Sequence, residues 1–150
     1  MGAKRLAVAK RRSGCPLNAS IEMLGDRWSL LIVRDMMVRG FSTFKQFVES
    51  DEGIATNILA DRLRRLEEYG IVASSADPWD GRKLIYRLTQ KGIDLAPVLT
   101  EMVLWAARHA QVGNQDLVRA LQKDRHGFEK RVRERWAQQG AAEALRSEAC

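Results

Sequence analysis

The stretch "GIATNILADRLRRLEEYGIV", residues 53–72, decides how the chain folds. At about 100° per residue, Leu59, Leu63 and Leu66 share one helical stripe, which Ile54 and Ile71 extend at its ends. Asn57, Asp61, Arg64 and Glu68 lie opposite, with Arg65 beside them. The spacing predicts a helix over 55–69 that Gly70 terminates. A helix held down by three leucines must turn its other face outward. That face is either an ordinary solvated surface or a reading surface.

Downstream of Gly70 the apolar period changes from helix to strand. "IVASSA" and "KLIYRLT" read as two short strands, with Leu84, Tyr86 and Leu88 alternating against Lys83, Ile85 and Arg87. "DPWDG" between them is a turn punctuated by Pro78 and Gly81. Thr89 to about His109 is helical again, with Pro97 near the first turn. Its Leu95, Val98, Leu99, Met102, Trp105 and Ala106 form a stripe broad enough to need a partner helix.

Upstream, Cys15-Pro16 opens a short helix that Gly25 is expected to close as a left-handed cap. Asp26 is a good N-cap for "RWSLLIVRDMMVR", apolar around most of its circumference and therefore central, with Gly40 at its end. "STFKQFVES" starts at Ser42 or Thr43 as cap and lines up Phe44, Phe47 and Val48. Three helices, a tight hairpin and a long helix predict a mainly α fold with a small β-hairpin wing. The order is that of a winged helix-turn-helix with a C-terminal dimerisation helix. Residues 1–14 read as a basic arm, 15–110 as the domain, and 111–150 as a helical extension of weak amphipathicity.

Composition narrows the partners. A net charge of +6 suggests a polyanion, but its distribution qualifies that. Residues 1–15 carry five Lys and Arg and no acid, whereas 16–110 net −1 and 111–150 net +2. What counts is where the charges fall on the folded surface. The longest apolar runs fall well short of the ~20 residues of a membrane span, and the N-terminus lacks a signal-peptide core, so a cytoplasmic protein is expected. Gly2 suggests myristoylation, but Leu6 stands where that motif needs Ser or Thr. Two cysteines, Cys15 and Cys150, make neither a disulfide framework nor a metal set. His109 and His126 have no Cys or acidic partner at ligand spacing, and no hydrolase, phosphate-loop or metalloprotease motif occurs. Neither an enzyme nor a cofactor or metal is expected.

In "CPLNASIEMLGDRW", "LLIVRDMMVRGFSTF", "IATNILADRLRRLEEYGIV", "YRLTQKG" and "LAPVLTEMVLW", taken in order, the chain resembles the HxlR-type winged-helix regulators, relatives of the MarR type. The resemblance covers about residues 15–105. It implies a cytoplasmic homodimer on a pseudo-palindromic DNA operator, with one helix in a major groove and a wing beside it. Some members sense oxidants or electrophiles with a cysteine at the place of Cys15. The sequence departs from the pattern at Thr43 and Ser74, where the family commonly has basic residues. Ala55 replaces a common capping Ser, and the wing tip "DPWDGRK" is nearer the MarR pattern.

In such a protein Asn57, Ala60, Asp61 and Arg64 face the base edges, because the first two turns of a helix fit a groove about 12 Å wide. Asn suits adenine and Arg suits guanine. Asp61 either accepts from a cytosine amino group or holds Arg64 or Arg65 by pairing one turn away. Thr56 is a phosphate or cap contact. Arg82 and Lys83 sit at the wing, where Arg is favoured near a minor groove, and Asp80 braces Arg82. Trp79, unusual on an exposed turn, either packs under the wing, the preferred reading, or stacks against a sugar. Leu95, Val98, Leu99, Met102 and Trp105 are the expected dimer face, and Trp28 a core residue. Cys15, next to Pro16 and following Arg11 and Arg12, is a candidate sensor of an oxidant, an electrophile or a small-molecule effector. A bridge to Cys150 is an alternative. Two other classes stay open: a winged-helix module that binds protein instead of DNA, and a nonspecific DNA coater driven by the arm.

Overall fold

The computed structural model describes residues 13–148; the basic arm up to residue 12, and Cys150, lie outside them. Helix α1 (Pro16–Leu24) begins with proline in the first turn, where its missing N–H is no loss. Gly25 closes it, but with φ −79° and ψ 17°, not in the left-handed region expected from the sequence. The glycine is needed for spacing instead. Its N–H donates to the Ile21 carbonyl at 2.7 Å, and a Cβ there would meet that same oxygen at 2.4 Å.

Asp26 then caps as expected. Its Oδ1 accepts from the backbone N–H of Trp28 (2.8 Å) and Ser29 (2.9 Å), and the Ser29 hydroxyl donates to Oδ2. Helix α2 (Ser29–Arg34) runs on into a π-helical turn over Asp35–Arg39, so the single α-helix expected here widens at its C-terminal end. Gly40, at φ +71°, stops it. Ile32, Val33, Met36 and Met37 enter the core. Asp35 is buried among them, and Arg34 (2.8 Å) and Arg39 (3.5 Å) supply the charge without which a buried carboxylate would be costly.

Thr43 is the cap of α3 (Phe44–Val48), through a reciprocal capping box with Gln46. Phe47 packs edge-on against Phe41 and Tyr86. Helix α4 (Thr56–Glu68) buries Leu59, Leu63 and Leu66 completely, as its periodicity predicts. Strands β1 (Val72–Ala76) and β2 (Leu84–Leu88) pair antiparallel, Val72 opposite Leu88 and Ala76 opposite Leu84. Tyr86 and Leu88 point into the core, whereas Leu84, out along the hairpin, is exposed.

The helix expected from Thr89 to His109 is two helices. Helix α5 (Gln90–Ile93) ends before Pro97, which cannot donate back along a continuous helix, and α6 (Ala96–His109) restarts around it. The extension forms α7 (Gln115–Glu148), broken at Asp124, whose φ/ψ of −155°/77° are not helical. Asp124 Oδ1 accepts the Gly127 N–H at 2.9 Å and so caps the second segment. That segment docks by discrete anchors. Arg125 donates to the Pro97 carbonyl (2.9 Å) and pairs with Glu101 and Glu129, while the Thr100 hydroxyl donates to Glu129. Arg133 reaches Asp94 (2.9 Å), Val132 is buried, and the Trp136 indole N–H donates to the Leu88 carbonyl (2.8 Å). Among the described residues no helix is long and apolar enough to cross a membrane.

Candidate nucleic-acid interface

Helices α3 and α4 are the two arms of a helix-turn-helix, and the β1–β2 hairpin is its wing. Because α4 is nailed down by its leucines, its opposite face is presented outward along the first three turns. Thr56, Asn57, Ala60 and Arg64 are exposed; Asp61 and Arg65 are half-buried. Ala55, at the N-cap, offers no side-chain acceptor to the first turn. Its free N–H groups therefore remain at the end that would approach a phosphate.

Arg64 is not idle in the isolated chain. Its Nη2 donates to Asp61 Oδ1 at 2.8 Å, and its Nη1 pairs with Glu68 one turn further on. Asp61 thus holds Arg64, one of the two roles the sequence left open. The Arg64 guanidinium lowers the Asp61 carboxyl below its usual range, and the two acids raise Arg64 in turn. All three groups stand in solvent, so the ties are weak and exchangeable. Arg65 adds charge beside Asp61.

Arg62, which the sequence reading passed over, has a different task. Its Nε lies 3.3 Å from Asp26 Oδ1 and its Nη1 3.4 Å from Asp61 Oδ2, with the side chain mostly buried. It fastens α4 to the corner between α1 and α2. Burial works against the charge on Asp26, but the Ser29 hydroxyl, the backbone N–H groups of Ser29 and Trp28, and Arg62 outweigh it and hold the carboxyl low. No periodic signal marks a partner 36 positions away. The only local cue was that a cap residue, Asp26, keeps acceptor capacity beyond its two backbone donors.

The wing tip is organised by two aspartates. Asp77 Oδ1 accepts from the N–H of Trp79 (2.8 Å) and Asp80 (3.3 Å), while Asp77 N–H donates to the Lys83 carbonyl (2.8 Å). Asp80 accepts from Arg82 Nε at 3.1 Å and lies 3.9 Å from the Lys83 ammonium. The Arg82 side chain and then its backbone N–H keep the Asp80 carboxyl below its usual range. Arg82 and Lys83 are both exposed. Trp79 does not pack under the wing as expected: it is 83% exposed. With Asp77 gripping the backbone at Trp79 and Asp80, the turn closes through main-chain bonds and the indole is left outside.

Of the expected dimer face, Val98, Met102 and Trp105 are exposed, while Leu95 and Leu99 lean against the core. Helix α7 packs on a different side of α6, through Thr100 and Glu101. Trp28 is partly buried against the core. Cys15 is an exposed free thiol at the N-cap of α1. Among the described residues no three His, Cys, Asp or Glu side chains cluster as metal ligands would.

Comparison with known proteins agrees with this geometry. The HxlR-like helix-turn-helix family model matches residues 23–114. The HTH-type transcriptional regulator YodB of Bacillus subtilis (strain 168) is 37% identical over 101 residues, covering 67% of this chain and 89% of YodB. The reduced form of YodB superposes with a TM-score of 0.55 at 34% identity, over 68% of this chain and all of YodB. Its diamide-treated and quinone-bound forms are also similar to this chain. The crystal structure of PA1607 gives a TM-score of 0.62 at 36% identity, over 69% of this chain and 71% of PA1607. The chain belongs to the HxlR-like helix-turn-helix family and is a transcriptional regulator of the winged-helix type.

Proposed function

We propose that the protein acts in the cytoplasm as a homodimeric repressor, placing α4 in the major groove of a pseudo-palindromic operator and the 76–83 wing against the flanking backbone or minor groove. One observation carries the reading. A helix fixed through Leu59, Leu63 and Leu66 exposes Thr56, Asn57, Ala60 and Arg64 in its first turns, alongside a hairpin ending in exposed Arg82 and Lys83. Asn57 and Arg64 read bases, Arg64 exchanging Asp61 and Glu68 for a guanine edge, while Thr56, Arg65, Arg82 and Lys83 address phosphates. Val98, Met102 and Trp105 present an apolar strip on α6 that a second copy would cover, and Leu95 and Leu99 support it from beneath.

Selection from a randomised duplex library at about 150 mM salt tests the proposal. The expected product is an inverted repeat with half-sites about one helical turn apart. Absent or uniform binding would contradict it. The protein-interaction reading would then lead, and it has one specific support: Arg64 is already satisfied by Asp61 and Glu68. Cys15, exposed at a helix start, is the proposed point of reaction with an oxidant or electrophile. Diamide treatment should lower operator affinity in the native chain and leave Cys15→Ser unaffected; equal loss in both would refute that role.

A further inference from the structure

A cleft of about 310 Å³ lies between the π-helical turn after α2, strand β2 and the second segment of α7. Met36, Tyr86 and Trp136 give it apolar and aromatic walls, and Arg39, Arg87 and Arg135 are among its lining residues. Among the described residues no Asp or Glu lines it. Two of the cations are steadied from outside the cleft: Arg39 by Asp35 and Asp51, and Arg87 by Glu143. Arg135 is exposed. The size is at the lower end of small-molecule sites, and the mixture of flat apolar walls with a few convergent cations is what such sites use. One wall is made wholly by α7, which begins at Gln115, beyond the residues 23–114 that the family model matches.

We propose that this cleft is a binding site for a flat aromatic carboxylate, its ring system against Trp136, Met36 and Tyr86 and its carboxylate on Arg135 and Arg39. The guanidinium fork matches a carboxylate with two parallel hydrogen bonds, and a ring of this kind stacks on indole and thioether surfaces without needing polar partners. A cavity lined by cations disfavours the corresponding amine, and a neutral alcohol, which can accept from the same donors, gains only uncharged hydrogen bonds there. The site also touches the wing. Trp136 holds the Leu88 carbonyl, and Arg87 belongs to the same strand, so occupancy bears on the base of the hairpin. That consequence rests on the DNA-reading proposal; binding itself does not.

Titration calorimetry on the full chain, without DNA, tests the site with 2-naphthoate and its neutral counterpart 2-naphthalenemethanol. Saturable binding of the naphthoate is expected, with the alcohol weaker by at least about tenfold, the worth of one charge-assisted hydrogen bond. Arg135→Gln should weaken naphthoate by a similar factor. Gly140→Leu should abolish binding with the melting temperature unchanged, since Gly140 lines the cleft and a Cβ there meets no atom within 4 Å. Lys123→Gln, exposed on the first segment of α7 and outside the cleft lining, should bind like the native chain. No saturable heat, equal affinity for acid and alcohol, or undiminished binding in both Gly140→Leu and Arg135→Gln would overturn the assignment. Because DNA takes no part, failure here leaves the operator reading standing.

Discussion

Helices α4 and α7 are both held against the same core, yet they are held in different ways. In α4 three leucines on one stripe make the main attachment, Arg62 ties the helix to Asp26, and Thr56, Asn57, Ala60 and Arg64 face outward. In α7 Val118, Leu121 and Val132 are buried, but its second segment is also tied down by the Trp136 indole and by the polar anchors Arg125, Glu129 and Arg133. A helix fixed by a narrow leucine stripe can offer a reading face. A helix fixed in addition by polar anchors is specified in where it lies as well as in which face it buries. On the proposed reading α4 carries recognition, while the second segment of α7 packs beside the wing strand through Trp136 and Leu88.

That contrast can be broken most severely at Leu63. Leu63→Ala leaves a cavity in a fully buried site and should cost about 2–5 kcal/mol in urea unfolding. A smaller change would mean that α4 is not held mainly by its leucines. Next comes Glu129→Ala, which removes one of the partners of the Thr100 hydroxyl and of Arg125, and should cost about 1–3 kcal/mol.

Glu129 also gives a pH signature. Burial opposes its charge, but the Thr100 hydroxyl and Arg125 outweigh burial and hold the carboxyl below the ordinary glutamate range. A depressed carboxyl stabilises fully above its unfolded value of about 4.3, and that stabilisation is lost as pH falls through the lower folded value. Acid unfolding should therefore be shallower below about pH 4 in Glu129→Gln, and an unchanged acid limb would contradict the anchor. Trp136→Phe removes the hydrogen bond to the Leu88 carbonyl together with part of the indole packing and should cost at least about 1 kcal/mol, with the loss visible as faster hydrogen exchange in β2. At the small end, Arg64→Ala should leave the melting temperature essentially where it was, because its ion pairs stand in solvent.

The same contrast explains what could be read in advance. The leucine stripe of α4, the helix–hairpin–helix order and the caps Asp26 and Thr43 are local patterns, and each is present as expected. Gly25 was misread because two different needs, positive φ and room for a carbonyl, select the same residue. The break at Pro97 was masked by apolar residues continuing on both sides of it. A tryptophan at a wing tip reads as packing or as stacking from sequence, and in the fold the Asp77 turn leaves the Trp79 indole exposed. The docking of α7 was illegible because Arg133–Asp94 and Trp136–Leu88 join residues 39 and 48 positions apart with no periodic trace. At the site, the outward set on α4 follows from helix geometry. The tie between Arg62 and Asp26 needed the tertiary arrangement.

The most direct test compares specificity and bare affinity in two variants. On the selected operator and on a scrambled duplex at one salt concentration, fluorescence anisotropy should show Arg64→Ala losing affinity for the operator alone, by about 1–3 kcal/mol, so that the specificity ratio collapses. Lys83→Ala should weaken both duplexes alike and reduce the slope with log salt concentration by about one. If Arg64→Ala weakened both duplexes equally, or neither, the outward face of α4 would not be what reads the sequence.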